Sequence, residues 1–432
     1  MVGYRSGNEE AFRAVIVALV LIGISIPLLT RQAKQQGDPQ LFRLLFLALI
    51  VKLVGALLRY YVVFTVYGGL ADATDYIAKG SAIASAFRAG HSYAGLTPLQ
   101  GTNFVRLVAG LVFTVIGPSG MGGFPVFSWF AFWGLVFFYK AFRVAVPQGL
   151  ERRYAYLVFF LPSLFFWPSS IGKDALAALG LGLASLGIAH VLSGNSALGA
   201  LPAALGFGLT LMVRPHVAGI LAIAWTLAAI ARRTPWRARQ MGPIVKTVTI
   251  VVATLMAILI LNAANIYFID QGVDTGKGLN TTEGIATSLT EIQTKTTKGG
   301  SQFGSVAVTG PVRFPVALVT VLFRPFVTEA HGLAPLAAAL EGTFLLGYAL
   351  WRWSSVQVSV RSIRTSPYLG MCMAYVVGFV VAFSTFSNFG ILARQRIQVM
   401  PFFLALLCLP VKASATSRRS STRRRSHQTR ES

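Results

Sequence analysis

Cysteine is nearly absent from this chain, with only Cys372 and Cys408 among 432 residues. Both lie inside apolar runs with no spaced ligand partners, which argues against a disulfide framework and against a zinc site. Acidic residues are also scarce, 14 Asp and Glu against 38 Lys and Arg, and the formal charge is +24. In a soluble protein that excess would point to nucleic acid. Here 54% of the residues are hydrophobic, only 12% are charged, and the mean hydropathy is +0.64. The basic residues cluster between apolar runs and in the tail, so they read as a topology signal, and no nucleic-acid partner is expected. No repeat of fixed short period is visible. The first apolar run, Ala14 to Leu29, is not followed by a small-residue cleavage site, so it is not taken as a removable signal peptide.

What is present is a recurrence of apolar runs of about 20 residues, the length that crosses a bilayer as a helix. The expected fold is an all-α polytopic membrane protein with interfacial helices on the outer face. Residues 14–30, 41–66, 123–142, 154–168, 173–192, 198–213, 216–231, 244–266, 334–351, 368–387 and 396–411 are the candidate spans, about eleven in all. Residues 1–411 form the membrane domain. Residues 412–432 are a basic tail, carrying Arg418, Arg419 and Arg423 to Arg425, and are expected to be disordered and cytoplasmic. Counting back from the tail, the turns with Arg143, Arg152 and Arg153, with Arg232, Arg233, Arg237 and Arg239, and with Arg352, Arg361 and Arg364 also fall in the cytoplasm. This count requires Asn103 to Gly117, which contains Arg106, and Val312 to Val327, interrupted by Arg324 and Pro325, to be interfacial or re-entrant. If either spans, everything upstream of it inverts.

With that count the outer face of a cell membrane receives residues 67–122, the turn Trp167 to Asp174, Arg214-Pro215-His216, a long polar loop at 267–312, and Ser387 to Arg396. The polar loop is expected to be mobile or ordered by ligand. Within it Gly272-Val-Asp-Thr-Gly-Lys277 is one residue short of a phosphate loop and lacks the Ser or Thr after lysine, so that motif is set aside.

Two of the six aspartates fall together in Tyr67-Gly-Gly-Leu-Ala-Asp-Ala-Thr-Asp-Tyr-Ile-Ala-Lys-Gly80. A helix over 72–88 would place Asp72, Asp75 and Lys79 on one side and Tyr76, Ile83 and Phe87 on an adjoining apolar stripe. That reading makes the stretch the active-site loop. The plainer reading makes Asp72 an N-cap and Asp75 its N3 partner. Asp174 opens the helix Ala175 to Val191. An ionised aspartate near the bilayer centre costs about 2.5 to 3.5 kcal/mol on insertion scales, so it is interfacial or functional. The plainer alternative is a first-turn carboxylate favoured by the helix dipole and paired with Lys173. Arg214 sits in a tight turn before Pro215, which suits the first helical position. Its planar fork fits a phosphate, although a snorkelling arginine reads the same way. Arg324 with Glu329 and His331, and Arg394 with Arg396, add cations on that face. Asp72 and Asp75 offer Mg²⁺ or Mn²⁺ two carboxylates, a thin ligand set, so a metal is left open.

From about Arg59 to Val191 the pattern resembles the multi-spanning glycosyltransferases of the C superfamily, such as the protein mannosyltransferases and the lipid A aminoarabinose transferases. The features that carry the resemblance are Asp72 or Asp75 in a first outer loop, the surface helix Asn103 to Gly117, the basic turn Arg143 to Arg153, and Asp174 in a second outer loop. The first loop has Asp-Ala-Thr-Asp in place of adjacent acidic residues, and an extra apolar helix precedes it. Phe166-Trp-Pro-Ser-Ser-Ile-Gly-Lys-Asp-Ala175, Phe323-Arg-Pro-Phe326 and Asn388-Phe-Gly-Ile-Leu-Ala-Arg-Gln-Arg396 also resemble phrases in membrane proteins of bacterial envelope polysaccharide pathways. The resemblance implies a polyprenyl-phosphate sugar donor, a glycan, lipid or protein acceptor, and transfer outside the cytoplasm. Asp72 or Asp75 would be the base and Asp174 would orient or assist. Arg214, with Arg324, Arg394 or Arg396, would hold the leaving phosphate, and Tyr76, Lys79, Lys173 and His216 complete the candidate substrate-binding set. The alternatives are a transporter or flippase of lipid-linked or anionic substrates, which Lys52 and Arg59 inside an apolar run would suit, and a polysaccharide polymerase or ligase.

Overall fold

A computed structural model describes residues 7–93, 95–231, 310–330 and 332–411, together with the isolated positions 247, 251, 254, 258 and 308. The expected span 244–266, nearly all of the polar loop 267–312, the turn with Arg232 to Arg239, His331 and the basic tail lie outside the described residues. The described chain is all-α, with sixteen α-helices. Among the described residues, five helical stretches are long and apolar enough to cross a membrane: Asn8–Gln36, Pro39–Val66, Gly120–Ala145, Lys173–Leu192 and Ser196–Val213.

The helices are α1 Gly7–Gln36, α2 Pro39–Tyr61, α3 Asp72–Arg88, α4 Thr102–Ile116, α5 Gly120–Ala145, α6 Glu151–Phe160, α7 Pro162–Phe166, α8 Lys173–Leu192, α9 Ser196–Val213 and α10 Pro215–Ala231. After the polar loop come α11 Phe314–Phe323, α12 Leu333–Trp351, α13 Trp353–Arg361, α14 Pro367–Phe383, α15 Phe389–Gln395 and α16 Met400–Leu407. Local chemistry sets several of these boundaries. Asp38 caps α2 by accepting from Gln40 N at 2.9 Å, and Ser119 caps α5 by accepting from Gly122 N at 3.0 Å. A π-helical turn at Val62–Val66 prolongs α2. The chain then reverses through Gly68 and Gly69, whose φ values of 57° and 80° strain any residue with a Cβ.

The central helices pack through small residues. Gly134 of α5 and Gly182 of α8 face each other so closely that a Cβ on either would overlap the other helix's backbone. Gly187 and Gly206 do the same between α8 and α9. This is the close-approach geometry that apolar helices use where burial of apolar surface supplies little drive.

Two expected spans are interrupted. Residues 154–168 divide at Leu161, whose ψ of 126° ends α6 before Pro162 opens α7. Proline disfavours the helical region for the residue before it, so the break follows from the sequence. Residues 396–411 reduce to a 3₁₀ turn and the eight-residue α16, all of whose side chains are buried. The two stretches expected not to span are short helices, α4 and α11, of 15 and 10 residues.

The molecule has two distinct ends. At one, Arg152 pairs with Asp38 at 3.3 Å, Leu150 N donates to the Cys408 carbonyl at 2.8 Å, and Arg352 donates to the Leu407 carbonyl at 3.2 Å. Two of the expected cytoplasmic basic turns therefore meet there. From Asp38, α2 runs to the opposite end, where Arg59 reaches the start of α3, the turn before α8 and α15.

Candidate functional site

The helix over 72–88 forms as its periodicity predicts, with Tyr76 and Ile83 buried, Phe87 half-buried and Lys79 exposed. The capping reading of its aspartates does not hold. Ala71 occupies the cap position with no side-chain bond, so Asp72 is the first helical residue and Asp75 lies a turn further in.

Asp75 is held by Arg106 of α4, whose Nε and Nη2 donate to Oδ2 and Oδ1 at 2.8 and 3.0 Å. This hydrogen bonding raises Arg106 above its ordinary value. At the far end of the pair, Arg88 Nη2 donates to the Phe113 and Thr114 carbonyls at 2.6 and 2.8 Å. Gly80 packs on Ala109 and Gly110 on Ile83 between these ties, so α3 and α4 run parallel. Asp75 thus joins two surface helices.

Asp72 takes a different partner. Its Oδ2 accepts from Arg394 Nη1 at 3.0 Å, and its side chain is 60% exposed. Arg394, on α15, also donates through Nε to Asp174 Oδ2 at 2.5 Å. Asp174 Oδ1 accepts from Arg214 Nη2 at 2.5 Å, and Arg214 Nη1 reaches Gln395 Oε1 at 2.5 Å. A chain Asp72–Arg394–Asp174–Arg214 therefore joins α3, α15, α8 and the α9–α10 junction. Asp174 is 4% exposed and both of its oxygens are spent on guanidinium donors. Its negative charge, joined by that of Asp72, raises Arg394 above the ordinary guanidinium range.

Beside this chain opens a cavity of about 350 Å³ lined by Arg59, Tyr67, Asp72, Trp167, Asp174, Asn388 and Arg394, among others. Asn388 also fixes α15, its Oδ1 accepting from Gly390 N and Ile391 N at 2.9 and 3.2 Å. Tyr76 is buried close to Gly172 of the cavity lining, and burial raises its hydroxyl well above the usual phenol range. Lys173 is half-buried at the start of α8, next to Asp174. His216 stands half-buried in α10 with its ring 6.1 Å from that of Phe383.

Eight predicted residues do not line the cavity. Arg214 is buried behind Asp174. Arg324 ends α11, donates through Nε to both Glu329 oxygens at 3.0 and 3.1 Å, and lies over the Phe389 ring. Its hydrogen bonds hold Glu329 below the usual carboxylate value. Arg396 is buried and donates to the Arg324 carbonyl. The other five are Asp75, Tyr76, Lys79, Lys173 and His216.

Sequence reasoning missed Arg59 as a site residue and read it as a charge inside an apolar run. It lies on the last turn of α2, against the turn Phe166-Trp167, and lines the cavity. The available signal was its place just before Gly68-Gly69 and the aromatic pair at 166–167. Lys52 has a structural explanation: its Nζ donates to the Leu164 and Phe165 carbonyls at 2.7 and 3.1 Å, which α7 leaves unpaired at its end.

For a divalent ion the donor set is poor. Arg394 occupies the position between Asp72 and Asp174, Asp75 is engaged by Arg106, and among the described residues no group of three His, Cys, Asp or Glu side chains is placed to hold a metal. Chemically the site offers one accessible carboxylate beside a buried guanidinium cluster, at the mouth of an apolar helix bundle. No family model, no curated protein and no solved structure matches the chain.

Proposed function

We propose that the protein is a membrane glycosyltransferase that moves a sugar from a lipid-phosphate donor to an acceptor hydroxyl on the extracytoplasmic side, in cell-envelope glycan synthesis. The single observation that carries this reading is the cavity itself. It holds the accessible carboxylate of Asp72 together with Arg394 and Arg59, at the end of the bundle opposite the basic turns at 143–153 and 352. In the proposed topology of about eleven spans those turns are cytoplasmic and the cavity opens outward.

Asp72 accepts the proton of the acceptor hydroxyl as its oxygen attacks the anomeric carbon. The bond from that carbon to the phosphate oxygen breaks, and its electron pair leaves with the lipid phosphate. Arg394 and Arg59 offset the charge that develops there. Asp174, saturated by two guanidinium groups, acts as a positioning residue that fixes Arg394 and Arg214. Asp72 engages Arg394 through Oδ2, and Oδ1 is the oxygen that takes the proton.

A transporter reading draws on one feature, two buried and half-satisfied charged groups, Glu341 and Arg396, whose Oε1 and Nε have no hydrogen-bond partner among the described residues. Proteoliposomes of the purified protein decide between the two. With polyprenyl-phosphate sugars and a soluble acceptor, the enzyme reading expects a new glycosidic bond and free polyprenyl phosphate. Movement of intact donor across the bilayer with no product would replace it.

A further inference from the structure

Arg59 is a buried cation that feels the charge of Asp174, a carboxylate already held by Arg214 and Arg394. Arg59 is 7% exposed, it forms no ion pair among the described residues, and its Nε and Nη1 make no hydrogen bond. Three rings surround it, with the guanidinium carbon 4.8 Å from the Trp167 centroid, 5.0 Å from that of Phe166 and 5.9 Å from that of Tyr67. Aromatic faces attract a guanidinium and the Tyr67 phenol interacts with it as well, but the Nε and Nη1 donors still ask for oxygen acceptors that π faces do not provide. A buried guanidinium left in that state is costly, so the site is built for an occupant.

The charge balance names the occupant's sign. Around the cavity Arg59, Lys173, Arg214 and Arg394 supply four positive charges and Asp72 and Asp174 two negative ones. Arg214 and Arg394 are consumed by the two aspartates, so positive charge is left over, and Arg59 is the part of it that lines the cavity. A sugar hydroxyl would satisfy a donor but not the charge. A phosphate oxygen satisfies both, and the planar fork suits it. Arg59 also ends a helix whose Val54, Leu57, Leu58 and Tyr61 are exposed apolar side chains, so a hydrocarbon tail attached to that phosphate has a surface to follow.

We infer that the Arg59 guanidinium, caged by Trp167, Phe166 and Tyr67, is a phosphate-binding subsite of this cavity. For the lipid source of that phosphate it rests on the reading above. The rings shield the fork from water, which strengthens each hydrogen bond to the anion.

The test uses the purified full chain in detergent and a guanidinium-specific reagent, phenylglyoxal, with modification at Arg59 read by peptide mass spectrometry against Arg143 as reference. A long-chain polyprenyl monophosphate is expected to slow modification of Arg59 and not of Arg143, and the matching polyprenol is expected to do neither. Equal protection by inorganic phosphate at the same concentration would assign the subsite to free phosphate and remove the lipid source. In binding titrations Arg59→Gln should weaken polyprenyl monophosphate by about tenfold or more, Arg59→Lys should weaken it less, and Asp72→Asn should still bind it. Unchanged modification with every probe, or wild-type affinity in a folded Arg59→Gln protein, would overturn the subsite. If Arg59→Gln fails to fold, the protection experiment on the wild-type protein decides. Protection without sugar transfer in proteoliposomes would leave the subsite standing and remove the transferase reading.

Discussion

Replacing Asp174 with asparagine should disconnect α15 from α8 and destabilise the protein sharply. Asparagine keeps the shape but removes the charge that two guanidinium groups share, and its amide nitrogen turns a donor toward one of them. Breaking a buried ion pair from one side costs about 3 to 5 kcal/mol because the remaining charge stays buried without compensation. Arg394 keeps Asp72 at 3.0 Å, but Asp72 is 60% exposed, so that contact returns less than about 1 kcal/mol. Arg214, 5% exposed at its side chain, keeps only Gln395 among the described residues. A net loss of about 3 kcal/mol lowers the folded-to-unfolded ratio by roughly a hundredfold. Denaturant unfolding of the purified protein in detergent measures it. The double variant Asp174→Asn/Arg214→Gln should recover part of the loss, with a coupling of about 0.5 to 3 kcal/mol. An Asp174→Asn protein within about 0.5 kcal/mol of wild type would refute the buried-cluster account.

Arg106→Gln should cost about 1 kcal/mol or less by the same measurement, since the Arg106 and Asp75 side chains are 27% and 41% exposed and partly exposed pairs are screened; a loss above about 3 kcal/mol would show that α3 and α4 depend on this pair. Gly182→Ala should destabilise by about 1 to 3 kcal/mol, because its methyl meets the Gly134 backbone, and neutrality in the same assay would mean that α5 and α8 can separate there. A reporter inserted after Arg153 should read cytoplasmic and one in the 91–99 loop external; the reverse pair would invert the face on which the cavity opens.

Much of the helical layout was legible because apolar runs and their breakers are local. Residues 72–88 and 173–192 appear at the expected limits, set by Gly68-Gly69 and by Gly172. Leu161-Pro162 carried a break that the hydropathy of 154–168 concealed. The site was legible only as separate polar turns. Asp72, Asp174, Arg214 and Arg394 each stood out beside an apolar run, but nothing local links positions as distant as 72 and 394. The same limit hid the division of labour between the first two aspartates, since Asp75 differs from Asp72 only through Arg106, 31 residues away. Arg59 was read against the hydropathy of its own helix, whereas its role comes from the aromatic turn that α2 meets at its end.

The division between Asp72 and Asp75 gives the most direct test of the central claim. Sugar transfer from a labelled polyprenyl-phosphate donor should be measured in proteoliposomes for Asp72→Asn and Asp75→Asn at matched protein levels. The account predicts a loss of about 10² to 10⁴-fold for Asp72→Asn, the usual contribution of a positioned base, and a change of less than about tenfold for Asp75→Asn. Full transfer by a folded Asp72→Asn protein would contradict it.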